Sequence, residues 1–444
     1  MSPQQKMLLG IGTGAAAGLA ANALAAGAPW LTWVIDHITF PVGQIFLRLL
    51  FMLVIPMLFS ALVMGISELD LRHLGRLGAR SFGYTIVIST VAVLIGLGLV
   101  NFIRPGAGLP ESLRAMAQGS VVEAAAAPAD TSPVALIIAM FPDNPIKAAA
   151  SGDMLAVIVF SLFFGVGLSL ARTPATAHLR ESIQGLYDVV TRLLDAVIAL
   201  APIGVAALLF TMTSRMGVAI LVQLSAYVGT VLLGLGLHMF GVYSLSVRFF
   251  GGMSPIAFFR GSRTAILTAF STSSSSATLP TALRVAEEDL GLPPHVSRFV
   301  LTAGAAMNQN GTALFEGVTV LFLAQLYGVD LALGQQAIVM VICVLGGIGT
   351  AGMPGGSLPV VAMILGMFGI PPEGLGLILG VDRFLDMCRT TLNVTGDLAA
   401  AVYVSRGEPH DPGDHDGQGG AGGAGGEGAT AGQGITEGLA GEGV

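Results

Sequence analysis

The sequence predicts an all-α, polytopic membrane protein whose full-length spans are followed by two interrupted, re-entrant helical segments. Three observations carry that class. Of the 444 residues 53% are hydrophobic and 11% charged. Long apolar runs recur from the N-terminus almost to residue 405. After residue 250 the runs shorten and are broken by Ser, Gly, Pro, Asn and Asp. A chain with that profile is solvated by lipid and is not a soluble globule.

Cutting the runs at polar clusters gives spans at about 7–27, 42–66, 82–103, 152–172, 187–212 and 218–247, each close to the length a bilayer demands. The first run is followed by no small-residue cleavage site, so it reads as a retained span. Cys343 and Cys388 both lie in apolar segments and make neither a disulfide framework nor a metal site. Alternating the spans puts Lys6, Arg72, Arg76, Arg80, Arg172, Arg180, Arg192, Arg248, Arg260 and Arg263 on one side. Arg284, Arg298 and Arg406 join them if the broken segments are re-entrant, so 13 of the 20 basic residues share a face. By the positive-inside rule that face is cytoplasmic, and both termini lie there. Residues 407–444 are rich in Gly, Ala, Asp and Glu and read as a disordered tail.

The two breaks are STSSSSATLP, Ser271 to Pro280, and GGIGTAGMPGGSLP, Gly346 to Pro359. Irregular backbone at membrane depth survives only where protein buries it or where it lines a cavity. Each break also precedes a polar-studded segment at a similar distance. Asn308 follows Pro280 by 28 residues and Asp386 follows Pro359 by 27. Such paired interruptions point to a transport site near the bilayer midplane.

In the last apolar segment Asp382, Asp386, Arg389, Thr390, Asn393 and Asp397 fall within an arc of about 100° on an ideal helix. Three carboxylates and a guanidinium at that depth cost about 2.5–3.5 kcal/mol each on insertion scales, which partners must recover. Asp386 and Arg389 neutralise each other formally, and a ligand carrying an ammonium and a carboxylate opens that pair. Asp397 and Asp382 are expected to remain negative and to need a small cation or a proton, bound best when the anionic ligand is present.

Ser274 and Ser275 stand where a hairpin tip meets the start of a half-helix, a place that offers N–H groups and hydroxyls to a carboxylate. Asn308, Asn310 and Thr312 bring oxygens of the type that coordinate Na+. Glu316, on the same face, is a carboxyl with few cations near it and could carry a proton. A serine hydrolase is the competing class, but His238 is the only mid-span histidine and the run has no nucleophile elbow. An ion channel is a third class, and it would leave Asp386 and Arg389 without a ligand to explain them.

TSSSSATLP, NQNGTALFEG, GIGTAGMPGG and DRFLDMCRTTLNVTGD together resemble the dicarboxylate/amino acid:cation symporter family, over residues 1 to about 406. The resemblance implies the glutamate transporter fold, eight transmembrane helices with two re-entrant hairpins in inverted repeats. It implies a homotrimer with an elevator mechanism in the plasma membrane, the inner membrane of a bacterium. Residues 1–80 would hold the first two scaffold spans, 81–105 the third span of a transport domain, and 106–215 scaffold spans four and five with an extracellular loop. Residues 216–406 would complete the transport domain, ahead of the tail at 407–444. The expected function is cation-coupled import of L-glutamate and L-aspartate, with H+ as the coupling ion. A Na+-coupled acidic amino acid symporter and a C4-dicarboxylate:cation symporter remain alternatives. The expected partners are the small acidic amino acid, the lipid bilayer and further copies of the chain, with no nucleic acid. No catalytic residue and no cofactor beyond the coupling ion, H+ and/or Na+, is expected.

Matched motif by motif, the substrate's ammonium would meet Asp386 and its side-chain carboxylate Arg389. Its α-carboxylate would meet Ser274, Ser275 and Asn393, with Thr312 and Thr390 shaping the pocket and Gly352, Pro354 and Gly355 gating it. One sodium site would use Gly304, Asn308, Asn393 and Asp397, and another Gly347, Ile348 and Thr350. Glu316 matches a proton-carrying glutamate, while Asp382 and Asn310 support the site. The departures are Asn310 and Ile88, which replace groups that hold a third sodium in relatives, and Gln309, which replaces a methionine near a second, so at least one sodium site is expected to be absent. Ser273 and Met387 stand where relatives often place a second arginine beside Asp386, so Asp386 is expected to be less restrained.

Overall fold

The computed structural model describes residues 3–67, 75–107, 141–151, 154–171, 173–349, 357–371 and 374–408. Thr350, Gly352, Pro354 and Gly355, the core of the expected extracellular loop and the tail beyond Glu408 lie outside them. Among the described residues there is no strand.

Helix α1 (Pro3–Ala25) lies along α7 (Pro174–Met216). A methyl group added at Gly10 or Gly14 would collide with the backbone of Pro202 or Ala206, so glycine is what lets the two axes approach. Helix α2 covers residues 29–51 through a π-turn at Ile35–Thr39, and α3 (Val54–Ser67) resumes after Met52 and Leu53. Both α2 and α7 begin well before the expected 42 and 187. Pro29 in the first turn of α2 and the Thr173–Thr176 capping box of α7 set these starts. Apolarity marks where lipid sits, not where a helix ends. Then come α4 (Gly75–Ile103), α5 (Pro145–Ser151) and α6 (Met154–Leu170).

Helix α8 (Ala219–Phe250) carries π-turns at Leu237–Val242 and Ser246–Phe250. The first interrupted segment is α9 (Pro255–Thr272) and α10 (Ser275–Arg284, extended by a π-turn Val285–Asp289). Only Ser273, left-handed at φ 52°, and the extended Ser274 are non-helical. Most of the serine run is therefore helix end and helix start. Helices α11 (Pro294–Met307) and α12 (Asn310–Tyr327) are parted by Asn308 and Gln309. The second interrupted segment has arms α13 (Leu333–Gly349) and α14 (Ser357–Met367). Helix α15 (Leu375–Ser405) is buried along most of its length against α4, α7, α8, α9, α11 and α12.

Among the described residues five stretches are long and apolar enough to cross a membrane: Gln5–Ala25, Pro29–Gly65, Arg76–Ile103, Pro174–Met216 and Ala219–Phe250. The outer surface matches, with Leu24, Phe102, Phe163, Ile203, Phe240 and Ile256 exposed as lipid permits. At the C-terminal end of α15, Arg80 donates to the carbonyls of Tyr403 (2.8 Å) and Arg406 (3.3 Å). Arg406 donates to those of Phe249 and Phe250 (2.9 and 3.1 Å). These bonds satisfy carbonyls that helix ends leave open, and they tie α4, α8 and α15 together.

Candidate functional site

The site is built on α15. Arg389 is only 1% exposed, and its Nη2 donates to Asp382 Oδ1 and to Asp386 Oδ1, both at 2.9 Å. Its Nη1 donates to Ser357 Oγ at 2.7 Å, at the start of α14. The seven-residue and three-residue offsets set both carboxylates on one face of the helix. Asp382 is thus a second partner of Arg389, not the uncompensated charge expected for it. Arg383 Nη1 approaches the other oxygen of Asp386, Oδ2, at 3.5 Å. The cluster of two carboxylates and two guanidinium groups is formally neutral, which is what low-dielectric burial favours. Thr390, the next residue on the stripe, is also buried.

The N-terminus of α12 abuts α15. A Cβ at Gly311 would sit 2.8 Å from the Arg389 carbonyl oxygen, so only glycine permits the approach. The Gly311 N–H donates to Asn393 Oδ1 at 2.7 Å, while Asn393 Nδ2 donates to Gln309 Oε1 and, at 3.2 Å, to Thr312 Oγ1. Asn393, Thr312 and the chain break thus form one polar knot next to Arg389.

Across the same break, Asn308 Nδ2 donates to Asp397 Oδ1 at 2.9 Å, and Asn308 Oδ1 is buried without a hydrogen-bond partner. Gly304 faces the same carboxylate, because a Cβ there would lie 2.5 Å from Asp397 Oδ1. An orphaned amide oxygen beside a buried carboxylate suits a small cation that prefers oxygen. Asn310 points elsewhere. Its Oδ1 accepts from Ser89 Oγ at 2.5 Å and its Nδ2 donates to Tyr243 OH at 2.9 Å, and that hydroxyl donates to Leu392 O at 3.2 Å.

Glu316 is fully buried on α12, and neither carboxyl oxygen has a hydrogen-bond partner. It faces the second interrupted segment, with Oε2 3.4 Å from where a Cβ of Gly346 would stand. Gly347 lies against Ala313 and the Gln309 carbonyl, and Ile348 follows it in the last turn of the same helical arm.

In the first interrupted segment Ser274 Oγ caps α10 by accepting from the Ala277 N–H at 3.2 Å. Ser275 is buried in the first turn, and Ser273 Oγ is buried without a partner. The serines form no nucleophile pair with His238. Both of its ring nitrogens are without hydrogen bonds, and it packs edge-on against Tyr243 at 4.8 Å.

Sequence reasoning missed Arg383, Ser357 and Phe315. Arg383 sits about 100° round the helix from Asp382, off the stripe, but its three-residue spacing to Asp386 was a legible pairing signal. Ser357 and Phe315 reach Arg389 through tertiary packing that no local pattern records.

Residues 4–407 match the model of the sodium:dicarboxylate symporter family. The chain is 34% identical over 370 residues to a proton/sodium-glutamate symport protein of Bacillus caldotenax, covering 83% of this chain and 87% of that protein. It is also 34% identical over 382 residues to a proton/glutamate-aspartate symporter of Escherichia coli (strain K12), covering 85% and 86%. A C4-dicarboxylate transport protein of Rhodospirillum rubrum is 34% identical over 374 residues, covering 83% and 82%.

Proposed function

The chain belongs to the sodium:dicarboxylate symporter family, and we propose that it imports the acidic amino acids L-glutamate and L-aspartate by symport with cations, H+ foremost. The observation that carries this is the Arg389 guanidinium, buried and shared between Asp382 and Asp386 on one helix face. A zwitterionic dicarboxylate exchanges both contacts at once. Its ammonium goes to Asp386 and its side-chain carboxylate displaces Asp382 from Arg389. The α-carboxylate goes to the capped start of α10, at Ser274 and Ser275, and to Asn393, with Thr312 and Thr390 beside it. A C4-dicarboxylate without an amino group leaves Asp386 unanswered, which is why the amino acid is preferred.

Asn308, Asp397, Asn393 and the Gly304 carbonyl form the proposed cation site, and the carbonyls of Gly347, Ile348 and Thr350 a second. Asn310, already bonded to Ser89 and Tyr243, supplies neither a charge nor a free oxygen to a further one. Glu316 is the proposed proton carrier. Filling a cation site beside an anionic ligand favours both, and that reciprocity is coupling. The wider reading has eight transmembrane helices with two re-entrant hairpins, both termini cytoplasmic, and an elevator motion within a homotrimer. Gly352, Pro354 and Gly355 gate the pocket.

Uptake of labelled L-aspartate and L-glutamate into proteoliposomes, under an imposed pH gradient and separately under a sodium gradient, tests this. Accumulation driven by the pH gradient is expected. Accumulation that follows sodium and ignores pH overturns the proton assignment, and no saturable uptake under either gradient overturns the function.

A further inference from the structure

Asp386 presents two oxygens to two different arginines. Oδ1 accepts from Arg389 Nη2 at 2.9 Å, and Oδ2 has no hydrogen-bond donor but faces Arg383 Nη1 at 3.5 Å. Arg389 is shared, since the same nitrogen serves Asp382 at the same distance. Asp382 and Asp386 lie four residues apart on one helix face, where like charges repel. When a ligand's carboxylate takes Arg389, Asp386 loses the donor on Oδ1, and Arg383 is the remaining cation that the structure places against it.

We propose that Arg383 is the positioning residue for Asp386, holding its carboxylate oriented through Oδ2 so that the other oxygen is free to receive a substrate ammonium. It thereby makes the site selective for substrates that carry an amino group. The inference rests on the reading that Asp386 binds that ammonium. Its geometry suits the role. Three residues N-terminal to Asp386, the long Arg383 side chain reaches the carboxylate from outside the polar stripe, and one-third of it remains exposed. It can hold Asp386 without occupying the space between Asp386 and Arg389. Charge balance agrees. With Arg383 present the four charged side chains of this cluster sum to zero, so within the cluster the net charge of a bound acidic amino acid is the one left to be balanced. Without Arg383, a second cation is needed for the same neutrality.

The test is uptake of L-aspartate into proteoliposomes by the wild type, Arg383→Gln, Arg383→Lys and Asp386→Asn, with succinate, which has no amino group, as a competing inhibitor. For Arg383→Gln the KM for L-aspartate is expected to rise roughly tenfold, the loss of one charge-assisted contact, with kcat changed much less. The inhibition constant of succinate is expected to stay within about twofold, because Arg389 is untouched. Arg383→Lys restores most of the L-aspartate affinity. An unchanged KM in Arg383→Gln overturns the inference, and so does an equal shift for L-aspartate and succinate, which marks general distortion. Asp386→Asn separates the two readings. If it keeps wild-type discrimination between L-aspartate and succinate, the ammonium assignment itself has failed. If it loses that discrimination while Arg383→Gln keeps it, only the role of Arg383 has failed.

Discussion

The Arg389 guanidinium sits over the Phe315 ring, 3.8 Å from its centroid, so an aromatic face on α12 supports the most buried charge of α15. A buried cation over an aromatic ring is worth about 2 kcal/mol, and here the ring also fixes where the guanidinium stands before a ligand arrives. Phe315→Leu keeps the volume and removes the π-face. We expect KM for L-glutamate to rise about tenfold, and Phe315→Tyr to stay near the wild type. Equal KM values in Leu and wild type would show the ring to be mere packing.

Arg389→Cys removes the shared donor of Asp382 and Asp386. Two adjacent carboxylates are then buried without a cation between them, and breaking such a pair costs about 3–5 kcal/mol. Uptake of acidic amino acids is expected to vanish and small neutral amino acids to be admitted. Asp382→Asn added to this variant should recover thermal stability but not glutamate uptake. Glutamate transport at the wild-type rate would refute the role given to Arg389.

Glu316→Gln keeps the shape and removes the one carboxyl group on α12. Because neither oxygen is bonded, the substitution breaks no hydrogen bond. Uptake should no longer respond to an imposed pH gradient, while exchange of internal for external L-aspartate continues. A variant that still accumulates substrate against its gradient when only pH drives it would sink the proton assignment.

How far the sequence reached depends on the range of the interaction. The stripe from Asp382 to Asp397 was legible because one helix carries all of it, and burial of a charge needs a reason. The interrupted segments were legible because breaks in apolar runs are costly. What escaped were the partners across elements, Phe315 and Ser357 on Arg389 and Tyr243 on Asn310, since packing between helices leaves no period in the chain. The left-handed Ser273 escaped too. Six consecutive hydroxyl residues hid a turn of only two.

At the cytoplasmic side proposed for the C-terminus, the hydrogen bond from Arg76 holds the Glu408 carboxyl below its ordinary 4.5, with the charges of Arg76 and Arg80 acting in the same direction. A lowered value contributes stability above about pH 4.5, and the contribution fades as pH falls through the lower folded value. Glu408→Gln should therefore melt slightly below the wild type at neutral pH, with the gap closing as the buffer is taken towards pH 3. The gap should also shrink in high salt, because the pair is solvent-screened. A gap that is constant from pH 7 to 3 would show the ion pair to be without effect.

Asn308 and Asp397 allow the sharpest test of the cation site. The amide N–H already serves the carboxylate at 2.9 Å, so what Asn308 keeps in reserve is its oxygen, buried and unbonded. Leaving such an atom unsatisfied costs about 1–3 kcal/mol unless something binds it, and a sodium ion is a group that can. Asn308→Ala removes that cost along with the ligand, so the protein should not melt lower by more than the lost Asp397 bond explains. The cation concentration for half-maximal uptake should nevertheless rise at least about tenfold. Asn310→Ala provides the contrast. Its oxygen is already taken by Ser89 and its nitrogen by Tyr243, so that change should lower the melting temperature and leave cation dependence alone. Cation titrations of uptake beside thermal melts of both variants decide it, and a wild-type cation response in Asn308→Ala would make the pair purely structural.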